Sequence, residues 1–160
     1  MDYNKIIEKY NFETGDILLY ERKNQYTKKT DYLFNFVDGL IRYFTKSKYS
    51  HISMIVRNPP WRKDLKGLYV LESNNEDFPD SEDNEIKCGV ELVPLEKVLE
   101  SKNNILYLRK LHCKRDKEFD ENLIKAQSVV HNRPYDFILT DWIKSGLNIK
   151  TGNVQKTNTF

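Results

Sequence analysis

Apolar residues recur along this chain in short runs of period two, separated by polar stretches and by segments of helical spacing. In Tyr49-Ser50-His51-Ile52-Ser53-Met54-Ile55-Val56 the alternation places His51, Ser53 and Ile55 on one face of a strand and Ile52, Met54 and Val56 on the other. Thr14-Gly15-Asp16 is a turn signal that releases an earlier strand over Ile17 to Tyr20, and Asp16 is expected to bond backbone amides at that turn. Tyr69-Val70-Leu71-Glu72-Ser73 forms a further strand in which Glu72 shares a face with Val70. Gly89-Val90-Glu91-Leu92-Val93 and Ile105-Leu106-Tyr107-Leu108-Arg109 continue the sheet.

Helical spacing appears over Tyr3 to Tyr10, with Ile6, Ile7 and Tyr10 on one side. It appears again from a Thr30-Asp31 cap through Leu33, Phe36, Val37, Leu40, Ile41 and Phe44, which make one broad face directed at the core. Pro94 suits the first turn of a short helix over Leu95 to Leu99. Asp116 caps a longer helix through Phe119, Leu123, Ala126, Gln127 and Val130 that ends near Asn132-Arg133-Pro134, and Tyr135 to Leu147 has room for one more. Asn58-Pro59-Pro60-Trp61 breaks the sheet ladder, because proline has no amide to donate. Asn74 to Lys87, acidic and poor in apolar residues, reads as a mobile loop, and its spacing does not fit the calcium loop of an EF-hand.

The pattern predicts one α+β domain over residues 1–160, a mainly antiparallel sheet of about five strands packed with helices. Composition narrows the function classes. Formal net charge is +2 with both signs interspersed, and no dense Lys/Arg run is interleaved with aromatics, so the chain shows no nucleic-acid footprint. No apolar run approaches the roughly 20 residues of a transmembrane segment, and the first residues lack the pattern of a signal peptide. Cys88 and Cys113 fit no paired metal-ligand spacing, so they are expected unbridged and reduced, and no cofactor is called for.

The chemistry concentrates on His51 and Glu72. An acid inside an apolar strand costs free energy unless it is paired or hydrogen-bonded. With the two strands adjacent, Glu72 would orient the His51 imidazole, the base-and-orienter half of a nucleophilic hydrolase. His112 and His131 have no comparable setting, Cys88 begins no helix that would activate it, and Cys113 and its neighbour His112 point to opposite faces of a strand.

In order, Gly15-Asp16-Ile17-Leu18-Leu19-Tyr20, Ser50-His51-Ile52, Leu71-Glu72-Ser73 and Pro134-Tyr135-Asp136-Phe137 form a series that resembles the circularly permuted branch of the NlpC/P60 papain-like family. That branch includes bacterial amidase-like proteins and poxvirus homologues and, more remotely, the lecithin:retinol acyltransferase group. The resemblance implies a papain-like sheet facing a central helix whose first residue is the nucleophilic cysteine. Asn158-Thr159-Phe160 resembles the approach to that cysteine, so the thiol and its helix are expected just beyond Phe160 and this chain alone is expected to be inactive. His51 would be the base and Glu72 its orienter in a cysteine-dependent hydrolase or acyltransferase acting on an amide, ester or lipid-like acyl substrate. The competing expectation is a non-catalytic structural or interaction component, for example of a virus particle, with a neighbouring subunit covering the incomplete sheet. Both place the protein in the cytoplasm or within a virus particle.

Overall fold

The computed structural model of the protein describes residues 3–22, 39, 42–43, 46–74, 78–100 and 104–133. The element order is α1 (Tyr3–Tyr10), β1 (Ile17–Arg22), β2 (His51–Arg57), β3 (Leu68–Asn74), β4 (Gly89–Pro94), α2 (Leu95–Glu100), β5 (Asn104–Arg109) and α3 (Lys117–Val130). The five strands form one antiparallel sheet in the order β4-β3-β2-β1-β5. The α+β class and the mainly antiparallel sheet are therefore as the sequence pattern predicts. Most of the aromatic helix predicted from the Thr30-Asp31 cap to Phe44, and everything from Pro134 to Phe160, lie outside the described residues.

Strand alternation gives the sheet an inner face whose two ends differ in chemistry. Leu18, Ile55, Val70 and Val93 fill one end, where Phe12, Leu95 and Val98 close the core and Ile6 and Ile7 of α1 pack against it. Tyr20, Ser53, Glu72 and Glu91 occupy the other end of the same face, each nearly or wholly buried. Registers fix this division: Tyr20 lies opposite His51, Val70 opposite Val93, and Glu72 opposite Glu91. Polar side chains so deeply placed must find partners within the protein.

α3 begins as predicted, with Asp116 as N-cap accepting from the Phe119 amide at 3.2 Å. Only Gln127 is buried along it, so its apolar stripe contributes less to the core than its spacing suggests. Its C-terminal end is tied to the sheet by the Val90 amide, which donates to the Arg133 carbonyl at 3.0 Å.

The acidic segment departs from the mobile-loop reading over residues 78–88. Asp80 is buried and accepts from the amides of Glu82 (2.9 Å) and Leu92 (3.1 Å) while pairing with Lys87 at 2.5 Å. Glu82 accepts from Trp61 Nε1 at 2.8 Å and from Gln127 Nε2 at 3.0 Å, and the Arg62 guanidinium donates to its backbone carbonyl. The acids serve as acceptors for amides and side chains that would otherwise go unsatisfied. Composition alone registered their charge and missed that use.

The turn before β1 depends on backbone geometry. Gly15 has φ +89°, its amide donates to the Ile55 carbonyl at 2.9 Å, and a Cβ there would lie 2.5 Å from Leu111 Cδ2. Leu111 is partly exposed and can swing aside, so the conformational strain is the larger part of the cost. Gly15→Ala is expected to lower stability by about 1–3 kcal/mol in urea denaturation. A loss below about 0.5 kcal/mol would mean that the turn relaxes freely.

Candidate functional site

His51 opens β2, and the preceding residue already joins the ladder: the Ser50 amide donates to the Tyr20 carbonyl at 3.0 Å. An exposed polar staple fixes that approach. Lys48 lies 3.1 Å from Glu21 and donates to Tyr107 Oη at 2.6 Å, and Tyr107 in turn donates to Glu21 Oε2 at 2.6 Å. The Tyr107 bond, followed by that of Lys48, holds the Glu21 carboxyl below the usual range, and the bonds to Tyr107 and then Glu21 hold Lys48 above its usual value.

Within the sheet, the hydrogen bond expected between the two candidate residues is present: His51 Nε2 and Glu72 Oε2 lie 2.8 Å apart. The carboxylate side chain is 2% exposed and the imidazole 24%, so the acid is sealed in while the ring reaches the edge of the site. Glu72 Oε2 also accepts from Tyr20 Oη at 3.3 Å, and Tyr20 Oη lies 2.8 Å from Ser53 Oγ. The Tyr20 ring meets the imidazole edge-on, with centroids 4.8 Å apart. A carboxylate has no proton to offer, so Nε2 carries a hydrogen, and in the neutral ring Nδ1 keeps its lone pair. Among the described residues, Nδ1 has no hydrogen-bond partner.

Neither thiol belongs to this arrangement. Both cysteines are free. Burial, and after it the charge of Glu91, raises the Cys88 thiol above its ordinary value, the opposite of what activates a nucleophile. Cys113 follows Leu111, whose amide binds Asp16 just before β1, whereas His51 faces Tyr20 four residues further on. At about 3.3 Å per residue that is roughly 13 Å along the sheet. His112 and His131 are exposed, and His131 Nδ1 lies 3.5 Å from Glu82 Oε2. No group of three His, Cys, Asp or Glu side chains among the described residues could hold a metal ion, and no helix among them is long and apolar enough to cross a membrane.

An open groove of about 610 Å3 runs along the sheet, lined by Ile17, Ile52, Met54, Leu71, Val90 and Val130 together with the strand positions of His51 and Glu72. Ile17, Met54 and Leu71 are cross-strand partners on the outer face, opposite the face that holds Tyr20, Ser53 and the Glu72 carboxylate. The groove therefore borders the pair's backbone and does not contain its hydrogen bond.

Sequence reasoning placed Ser53 on the His51 face but gave it no role, and it passed over Tyr20 and Glu91. A signal for each was present. Tyr20 shares the parity of Leu18, and Glu91 sits between Val90 and Leu92 as Glu72 sits between Leu71 and Ser73. No family model matches the chain, and no curated protein matches it.

Proposed function

We propose that His51 and Glu72 are the base and its orienter in a cysteine-dependent hydrolase or acyltransferase acting on an amide, ester or thioester carbonyl. One observation carries this reading: the Nε2 side of the ring is held by a buried acid, and the Nδ1 lone pair is left for proton transfer. In the first step a thiol passes its proton to Nδ1 and the sulfur forms a bond to the carbonyl carbon. The tetrahedral intermediate then collapses, the bond to the leaving group breaks, and the leaving group takes the proton back from Nδ1. Water or an acceptor alcohol next gives its proton to Nδ1 and attacks the acyl-thioester carbon. The carbon–sulfur bond breaks and the thiolate recovers that proton. Glu72 fixes the tautomer and favours the imidazolium that forms in each half-reaction.

The same reading takes the sheet as the papain-like half of a fold completed by a helix, with the thiol at that helix's first turn. There the helix dipole and the imidazolium would both favour the thiolate. Neither Cys88 nor Cys113 supplies it.

A chain carrying that cysteine motif, treated with a thiol-directed acylating probe and mapped by mass spectrometry, is expected to be acylated at the motif cysteine at least tenfold faster than at Cys88 or Cys113. No preferential acylation there would sink the hydrolase reading and leave a structural or interaction component in its place.

A further inference from the structure

We infer that Tyr20 and Ser53 are a positioning pair for this site: their hydroxyls, in series, lock the Glu72 carboxylate against His51 Nε2. The assignment of His51 as a base rests on the function proposed above. The locking itself does not.

The available protons set the direction of these bonds. Tyr20 has a single hydroxyl hydrogen and lies within reach of two oxygens, Ser53 Oγ at 2.8 Å and Glu72 Oε2 at 3.3 Å. The carboxylate can only accept, so Tyr20 gives its hydrogen to Glu72 and takes one from Ser53. The chain then runs in one direction, from Ser53 to Tyr20 to Glu72, and His51 Nε2–H meets the same carboxylate oxygen from the other side. Tyr20 is 5% exposed and Ser53 3%, so water does not compete for these bonds.

Cross-strand placement makes the arrangement rigid. Tyr20 stands directly opposite His51 in the β1–β2 register, with its ring edge-on to the imidazole at 65°. Its hydroxyl reaches diagonally to the next inward position, Ser53. A carboxylate held by one bond can rotate about its terminal torsion, which is broad. Two donors converging on Oε2 remove that freedom.

The test reads the His51 ring by NMR in the 15N-labelled chain, with Tyr107→Phe as the control because its hydroxyl serves Lys48 and Glu21 instead. Tyr20→Phe, which keeps the ring and removes only the hydroxyl, is expected to speed exchange of the Nε2–H proton with water at least tenfold. Nitrogen shifts read through the ring carbon-bound protons should show the minor Nδ1–H form rising with it. Ser53→Ala should move both readouts in the same direction, and Ser53→Thr should restore them. Packing alone would move neither. If Tyr20→Phe and Ser53→Ala leave both readouts as in the native chain while Glu72→Leu abolishes the slow exchange, the positioning role is overturned and the His51–Glu72 pair stands. If Glu72→Leu also changes nothing, the pair does not exist in solution and the proposed function falls with it.

Discussion

Asp16→Ala is expected to lower the unfolding free energy by about 3 kcal/mol, more than any other single change at the sheet's start. Asp16 is fully buried and holds four groups together: it accepts from the amides of Glu13 (2.9 Å) and Leu111 (3.0 Å) and pairs with Lys110 (2.6 Å) and Arg115 (3.3 Å). These tie the turn before β1 to the segment that follows β5. Removing the carboxylate strands two amides and two cations. Both cations are partly exposed and can recover water, which puts the loss at the low end of the range for broken buried pairs. Urea denaturation measures it directly, and a loss under about 1 kcal/mol would show that the cations and amides find other partners.

The same residue predicts a pH dependence. Burial works to raise the Asp16 carboxyl, but the Lys110 bond and the amides of Leu111 and Glu13 outweigh it and hold the group below its ordinary value. A carboxyl depressed in the folded state contributes stability that is complete above its unfolded value, near about pH 3.9, and is lost as the pH falls through the folded value. The gap between the native chain and Asp16→Ala should therefore be constant near neutrality and close only in acid, below about pH 4. Asp83 and Asp116 are also held low, so the native curve alone mixes several groups and the difference between the two proteins isolates this one.

What the sequence made legible follows from local periodicity. His51, Ser53 and Ile55 share a face because adjacent side chains on any strand alternate, and Glu72 joins Val70 for the same reason. The helix over Tyr3–Tyr10 and the Asp116 cap are equally local. Sheet order is not local. That β1 sits between β2 and β5 depends on contacts such as Asp16 with Lys110 and Arg115, more than ninety positions apart, which no periodicity encodes. The acidic segment misled for a related reason: Asp80 and Glu82 look solvated in sequence, and only the fold brings Leu92, Trp61 and Gln127 to them. Tyr20 was hidden by its residue type, since an aromatic ending an apolar strand reads as core until its hydroxyl is placed beside an acid.

The two readings of Glu72 separate most sharply in Glu72→Leu. A structural acid would be needed for folding, and its removal would cost several kcal/mol, as loss of Asp16 should. Glu72 is placed differently. Its neighbours after removal are Tyr20, which keeps Ser53 as a partner, and His51, which is partly exposed and can be hydrated. Among the described residues no buried cation pairs with Glu72. The register also sets Glu72 directly opposite the buried Glu91. An apolar side chain of similar volume is therefore expected to leave stability within about 1 kcal/mol of the native value, or to raise it. Function should move the other way. In a chain carrying the motif cysteine, probe acylation should fall about a hundredfold or more, because Nε2–H loses its acceptor and the imidazolium its counter-charge. His51→Ala should fall at least as far, and combining it with Glu72→Leu should cost little beyond His51→Ala alone, since the two act as one unit. Unchanged acylation with a stability loss above about 2 kcal/mol would make Glu72 a structural acid after all. The expected pattern, a collapse in acylation with stability kept, would mean that this buried carboxylate is retained for the chemistry it orients.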